Sequence, residues 1–182
     1  MTKEDKREQL LFAKTGKSEK ISEHTTQLLV SFLLTFNLFE DWLFEKERGW
    51  NARMRISDKL VEVPWFNLEH YKEYAEFFSK RYITTENAVN SHFRNLQLSK
   101  RANDGNKSEY EIVKSVLLGE KNSAKDTIYA YFCIAYRFRN NLFHGNKQVL
   151  GLNIYDECFQ VVIDFMCQIM DEMITNDFEL LS

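Results

Sequence analysis

Proline and glycine are too scarce in this chain to support a fold built from short strands and turns. Pro64 is the single proline among 182 residues, and the sequence has 6 glycines. Strand-type alternation of apolar and polar residues is nearly absent, whereas apolar residues recur at intervals of three and four over long stretches. The chain is therefore predicted to be all-α.

The periodic stretches predict where the helices lie. We expect helices over residues 3–14, 20–47, 68–81, 85–99, 107–119, 123–144 and 152–176. Ser108 and Glu111 have the spacing of a capping box, which favours a helix start there. Residues 50–66 are expected to form an irregular loop with a short extended piece at 59–63, and residues 100–107 a turn.

Four of these helices are expected to form the core of a bundle: 20–47, 107–119, 123–144 and 152–176. Helices 123–144 and 152–176 should be antiparallel neighbours, because only a short connection separates them. A length of 182 residues with 44% hydrophobic and 14% aromatic residues fits one folded domain spanning residues 1–182.

Composition also limits the classes of partner and site. The net charge of -3 gives no overall attraction to nucleic acid, so an RNA site would need a local basic patch. The N-terminus lacks the apolar core of a signal peptide, and no run approaches the roughly 20 apolar residues of a membrane span. A cytoplasmic protein with no membrane partner is therefore expected.

Metal and cofactor sites are not expected. The three cysteines, Cys133, Cys158 and Cys167, each lie in an apolar helical pattern and are interpreted as reduced core residues. The sequence contains no paired Cys/His spacing of a metal site and no glycine-rich phosphate loop.

Two opposite charges interrupt the apolar stripes of two predicted helices. At about 100° per residue, Arg139 falls in the middle of the stripe of helix 123–144, and Glu40 in that of helix 20–47. A guanidinium keeps its charge, so its burial requires an anionic partner. We predict that Glu40 pairs with Arg139, either as a functional pair or, with equal weight, as a structural ion pair of the core.

The segment Arg139–His144 reads Arg-Asn-Asn-Leu-Phe-His and lies at the end of an aromatic helix, just before Gly145. It resembles the motif of HEPN-domain ribonucleases (higher eukaryotes and prokaryotes nucleotide-binding): Arg, four to six residues, His. The stretch Phe36–Phe44 resembles the acidic first core helix of that family. The resemblance covers residues 20–48 and 107–178 and implies a HEPN-like up-and-down helical bundle. It does not extend to residues 50–105, which are expected to form a helical and loop insertion in the middle of the chain.

The resemblance implies a metal-independent endoribonuclease that cleaves RNA by attack of the 2′-hydroxyl. Such a reaction needs a base, an acid and a cation for the crowded phosphate. His144 suits either proton transfer because its ordinary pKa lies near neutrality. Arg139 suits the phosphate, Asn140 can donate an orienting hydrogen bond, and Glu40 completes the candidate catalytic set.

Arg137, Asn141 and Lys147 are candidate RNA contacts. On a regular helix Arg137 and His144 lie about 20° apart, whereas Arg139 and His144 lie about 140° apart. Either Arg137 contacts the phosphate while Arg139 is held structurally, or the helix end departs from regular geometry. The family's motif favours Arg139, and a solvated arginine stays an alternative for Arg137. Lys147 either steers the phosphate or complements the helix C-terminus.

One histidine cannot easily serve as both base and acid in a single turnover. A two-fold dimer supplies a second His144, and the resemblance also implies a composite site built from two facing motifs. A homodimer is therefore predicted. Leu28, Leu38 and Trp42 give helix 20–47 a second apolar face, which either residues 68–99 or the second subunit should cover. The other histidines, His24, His70 and His92, are expected to be surface or packing residues.

Three functions fit the sequence. The first is a ribonuclease acting as a toxin or phage-defence effector, with a cognate antitoxin as partner. The second is a non-catalytic HEPN helper that binds a nucleotide or a nucleotidyltransferase, and the third is a helical dimerisation module. The intact motif with Glu40 favours the ribonuclease, because a helper has no need of His144.

Basic residues cluster in the central segment and alternate there with aromatic ones. They form either an RNA track with stacking aromatics or, as the favoured interpretation, a solvated face. The residues are Lys80, Arg81, Arg94, Lys100 and Arg101, with Tyr82 and Phe93.

Overall fold

A computed structural model of the chain describes residues 21–44, 50–101, 108–143 and 152–176. Within these ranges, strand-type pairing is limited to one bridge, between Ile83 and Val89. The all-α prediction is confirmed. The helices are α1 (Glu23–Phe44), α2 (Trp50–Glu62), α3 (Lys72–Tyr82), α4 (Ser91–Arg94), α5 (Glu109–Leu117), α6 (Ala124–Phe143) and α7 (Asp156–Thr175), with 3-10 turns at Leu68–Tyr71 and Leu152–Tyr155.

Helices α6 and α7 pack as antiparallel neighbours through phenylalanine rings. The ring of Phe138 lies 5.0 Å from that of Phe159, and Phe132 lies 6.0 Å from Phe165. Between these two contacts the residue number falls by six on α6 and rises by six on α7, as expected for antiparallel helices. The prediction drawn from the short connection between them is confirmed.

Helix α1 lies against both of these helices and runs parallel to α7. The Thr25 hydroxyl donates to Asp156 at 3.0 Å near the start of both helices, and Phe39 meets Phe165 further along, at 6.4 Å. Helix α1 is antiparallel to α6, since Phe32 contacts Phe138 at 5.7 Å and Phe39 contacts the earlier Phe132 at 5.6 Å. The periodic apolar face of α1 is buried between these two helices.

Residues 50–62 form helix α2, where the sequence predicted an irregular loop. Its buried face consists of Ala52, Ile56 and Leu60 at four-residue spacing, together with Arg53 and Ser57. The two polar residues interrupt the apolar pattern, which explains why the periodicity does not predict a helix. Helix α2 contributes to the same core as α6.

The prediction of a helix over residues 85–99 is also wrong. A turn closed by the Ile83–Val89 bridge leads into the single helical turn α4, which Asn90 caps by accepting a 3.1 Å hydrogen bond from the Phe93 amide. Backbone φ angles of 59° at Asn87 and 55° at Gln97 lie in the left-handed region, which a continuous helix excludes.

The other sequence-based helices are confirmed within the described ranges. Residues 68–82 are helical, and the hydroxyl of Tyr71 donates to Glu172 on α7 at 2.7 Å. Helix α5 begins at a complete capping box formed by Ser108 and Glu111. The helix predicted over residues 3–14 and most of the turn predicted at 100–107 lie outside the described residues.

One face of α1 is exposed and apolar. Leu28 is buried, but Val30, Leu34, Leu38 and Trp42 are 52%, 61%, 56% and 42% exposed. The alternative in which residues 68–99 cover Leu38 and Trp42 is therefore wrong. By length and composition α1 could also cross a membrane, but its opposite face is packed into the helical core.

Candidate functional site

The C-terminal half of α6 carries the described part of the candidate motif, Arg139–Phe143, and side chains from three other helices converge on this half of the helix. Glu40 reaches it from α1, Arg53 from α2 and Glu109 from α5. The site is therefore assembled by tertiary packing of segments that are far apart in the sequence.

Glu40 lies beside the motif helix, with Tyr136 as its observed partner. The Tyr136 hydroxyl donates to Oε1 of Glu40 at 3.4 Å. The guanidinium carbon of Arg139 lies 5.7 Å from the ring centroid of Phe36, and its Nη1 donates to Oδ1 of Asn140 at 3.1 Å. Among the salt bridges between described residues, none joins Glu40 directly to Arg139. Glu40 instead contacts Tyr136 and Arg139 lies near Phe36, and the centroids of these two rings are 5.0 Å apart.

The electrostatics of Tyr136 reflect both charges. Burial is the main cause that raises the pKa of the Tyr136 phenol, and the negative charge of Glu40 raises it further, whereas the positive charge of Arg139 acts in the opposite direction. The Tyr136 hydroxyl therefore stays protonated through the neutral range and serves as a hydrogen-bond donor.

A buried acid that the sequence analysis did not single out, Glu109, organises the same end of α6. Glu109 is 3% exposed. Its Oε2 accepts hydrogen bonds from Nε and Nη2 of Arg137, at 3.1 and 2.6 Å, and from the Ser99 amide at 3.0 Å. Its Oε1 pairs with the buried guanidinium of Arg53. Both carboxylate oxygens are thus occupied by charge-assisted hydrogen bonds.

These partners keep Glu109 ionised although it is buried. Burial alone would raise the pKa of its carboxyl group, but the hydrogen bonds from Arg137 and Ser99 and the charge of Arg53 outweigh burial. The pKa of Glu109 therefore lies below its ordinary value.

Arg53 connects the two acids into one polar network, which we define as Glu40, Tyr136, Arg53, Glu109 and Arg137. The guanidinium of Arg53 lies 4.8 Å from the ring centroid of Tyr136. The network therefore joins α1, α2, α5 and α6 at the level of the motif. It fixes the position of the α6 backbone that carries Arg139 and Asn140.

The solvated-arginine alternative for Arg137 is wrong, because two nitrogens of its guanidinium contact Glu109 and its side chain is 26% exposed. Arg139 is half-buried. Arg137 and Arg139 are both candidates for the phosphate contact. Of the two, Arg137 is the one that is bound to a buried carboxylate.

Asn141 is a structural residue, and its predicted role as an RNA contact is wrong. It is 4% exposed, and its Nδ2 donates to the carbonyls of Asn95 at 2.9 Å and Leu96 at 3.3 Å. A buried amide with these partners cannot reach a ligand in solvent. It fastens the segment after α4 to the end of the motif helix.

His144 and Lys147 lie outside the described residues, so the roles expected for them stay predictions. The histidines expected to be surface or packing residues are exposed: His24, His70 and His92. His70 also contacts Glu172 through Nδ1 at 3.0 Å.

Among the described residues, no cluster of three or more His, Cys, Asp or Glu side chains could hold a metal ion. Cys133 and Cys158 are buried, as expected, but Cys167 is exposed. Burial raises the pKa of the Cys133 thiol to about 11, so it is not a nucleophile at neutral pH.

A separate cleft of about 520 Å³ lies between α3, the end of α5 and the first half of α6. It is lined by residues such as Ser79, Thr127 and Tyr131 and shares no residue with the polar network. It is therefore not part of the candidate site.

Comparison with known proteins adds no relative to these observations. No model of a known protein family matches the chain, and neither a curated protein nor a solved structure matches it.

Proposed function

We propose that the protein is a metal-independent endoribonuclease whose active site is the C-terminal end of α6. The observation that carries the proposal is the convergence of α1, α2 and α5 on Tyr136 and Arg137 of α6, immediately before Arg139 and Asn140. A catalytic group must be held in a fixed geometry to be effective, and the polar network supplies such a support.

The proposed reaction is a transesterification followed by release of the product. One His144 removes the proton of the RNA 2′-hydroxyl, the 2′-oxygen attacks the adjacent phosphorus, and the bond to the 5′-oxygen breaks. A second His144, from the partner subunit, donates a proton to the departing 5′-oxygen. The products are a 2′,3′-cyclic phosphate and a 5′-hydroxyl end, so protons and bonds balance without an added reactant.

Arg139 is the arginine we assign to the phosphate. Arg137 is committed to Glu109, whereas Arg139 lies over the ring of Phe36 with its Nη1 on Asn140. Asn140 is then a positioning residue that orients the guanidinium. Glu40 acts from the far side of Tyr136 as an electrostatic support for the helix end.

A homodimer is part of the proposal, and the exposed apolar stripe of α1 is its proposed interface. The stripe comprises Val30, Leu34, Leu38 and Trp42, and no charged residue occurs between Thr25 and Phe39. A two-fold axis would set the stripe against itself, as an isologous contact requires. A membrane surface fits less well, because α1 carries Glu40 and Asp41 near its end and has no basic residue in its last turn.

The double substitution Leu34→Glu/Leu38→Glu is expected to convert the dimer to a monomer and abolish cleavage. The two glutamates would place like charges in the centre of a desolvated contact. Light scattering at micromolar concentration measures the state, and Ile154→Glu/Ile174→Glu is the control, since these isoleucines are 66% and 60% exposed elsewhere on the surface. A wild-type protein that is already monomeric would contradict the composite site.

The central experiment incubates purified protein with total RNA in the presence of EDTA. Wild-type protein is expected to produce fragments with 2′,3′-cyclic phosphate ends, and His144→Ala to cleave at least about 100-fold more slowly. Equal, intact RNA in both reactions would favour the helper that binds a nucleotide or a nucleotidyltransferase. Isothermal titration with nucleotides would then test that second function.

The same resemblance supports a cytoplasmic toxin or phage-defence effector. A cognate antitoxin or another restraint would be needed in that case, because unrestrained RNA cleavage harms the cell that makes the protein. The cleavage assay therefore uses the chain purified alone.

A further inference from the structure

Positive charge is concentrated in residues 80–101. This segment contains five basic residues and one acid, Glu86, which gives a net charge of +4. Because the whole chain carries -3, the remaining residues carry -7. A local field of this kind attracts a polyanion even though the protein as a whole is acidic.

The structure fastens this basic segment to the candidate site. Asn141 on α6 donates to the carbonyls of Asn95 and Leu96. Three residues further, the amide of Ser99 donates to the same Glu109 oxygen that binds Arg137. The segment therefore runs directly beside the end of the motif helix.

Several of the polar side chains of the segment lie next to α6. Arg81, His92 and Asn95 line a small cleft with Phe138 of α6, and the Arg81 guanidinium lies 5.7 Å from the ring centroid of Tyr155. The cations further along the segment, Arg94, Lys100 and Arg101, are exposed.

The aromatic residues of the segment anchor it to the core. Tyr82 and Phe93 are buried, with their rings 6.3 Å apart, and Phe93 also meets Tyr110 at 5.4 Å. Because they are buried, they are not accessible for stacking on bases. The predicted RNA track in which these aromatic residues stack on bases is therefore wrong. What this surface offers a ligand is charge and exposed polar groups.

We propose that residues 80–101 form a phosphate-binding track that guides single-stranded RNA into the candidate site. This inference rests on the proposed function for its substrate. Contacts made through charge read the phosphate backbone and not the bases, so binding is tolerant of sequence and strongly dependent on salt. A single strand is the expected form, because attack by a 2′-hydroxyl needs a backbone that can leave the regular A-form geometry.

The track is tested by binding, with a probe that cannot be cut. The probe is a fluorescent single-stranded oligonucleotide of about 20 residues with 2′-O-methyl groups, which lacks the nucleophile. Removal of three exposed cations in Arg94→Ala/Lys100→Ala/Arg101→Ala is expected to weaken binding at least about tenfold in fluorescence anisotropy and to reduce the slope of log K against log salt by about 2.

A charge-matched variant serves as the control. Arg55→Ala/Lys72→Ala/Lys125→Ala also removes three cations, all outside the track, and is expected to bind as wild type does. Equal weakening in the two triple variants would overturn the track, because general charge would then explain binding. Equal affinity of wild-type protein for a duplex probe would overturn the single-strand assignment. Circular dichroism melting verifies that both variants are folded.

The outcomes separate this inference from the proposed function. If wild-type protein binds the probe through the track but leaves unmodified RNA intact, the ribonuclease proposal fails and the track stands. If RNA is cleaved at the same rate by wild type and by both triple variants at limiting RNA concentration, the track fails and the ribonuclease proposal stands.

Discussion

Replacement of Glu109 by glutamine is expected to destabilise the fold by roughly 3–5 kcal/mol, the usual cost of removing one partner of a buried ion pair. Glutamine keeps the shape of the side chain but leaves Arg53, which is buried, without its anionic partner. Urea unfolding followed by circular dichroism measures the loss. Glu69→Gln is the control, because Glu69 is exposed and only weakly paired with Lys72, and a change within about 0.5 kcal/mol is expected there.

The difference between wild type and Glu109→Gln is also expected to depend on pH. The folded-state pKa of Glu109 lies below its ordinary value of 4.5, so its stabilising contribution is fully present above that value. The contribution is lost as the pH falls through the folded-state pKa. The two unfolding free energies should therefore differ most between about pH 5 and 7 and converge at lower pH. A difference that is unchanged at pH 3 would show that the carboxylate charge is not the source of stability.

The long helices could be predicted from sequence because each has a wide apolar face. Phenylalanines at helical spacing in α1, α6 and α7 dictate both the helices and their packing against one another. The capping box at Ser108 fixes the start of α5 for a similarly local reason. Such features depend only on residues a few positions apart.

Helix α2 could not be predicted in the same way, because its buried face includes a charged residue. The charge of Arg53 is balanced there by Glu109, which lies 56 positions later in the chain. The periodicity of residues within α2 cannot reveal a partner that lies so far along the chain. The helix is therefore explained by a tertiary ion pair that becomes visible only in the folded structure.

The two acids of the site differ in how visible they are in the sequence. Glu40 interrupts an apolar stripe and is noticed for that reason, and the hydrogen bond observed for it comes from Tyr136. Glu109 stands in the first turn of α5, where an acid is expected simply because it complements the helix dipole. Its position in the sequence therefore does not indicate that Glu109 pairs with both Arg53 and Arg137.

The two arginines of the motif helix are expected to separate activity from stability. Arg139→Ala should reduce RNA cleavage by about 10²–10³-fold, the usual effect of removing one group that stabilises a transition-state charge. Its unfolding free energy should change less than that of Arg137→Ala, because Arg139 is half-buried and its hydrogen bond to Asn140 joins two half-buried side chains and involves no buried carboxylate. Arg137→Ala should instead lower the unfolding free energy by about 1.5–3 kcal/mol, since it removes two hydrogen bonds to a buried carboxylate.

Cleavage rates measured at a temperature where both variants are fully folded make this comparison decisive. Under those conditions Arg137→Ala is expected to retain most of its activity, because Arg53 and the Ser99 amide still hold Glu109 and the helix end keeps its position. Since the two arginines are two residues apart on one helix, each serves as the matched control for the other. Loss of cleavage in folded Arg137→Ala, with full activity in Arg139→Ala, would transfer the phosphate contact to Arg137 and require the Glu109 pair to open during the reaction.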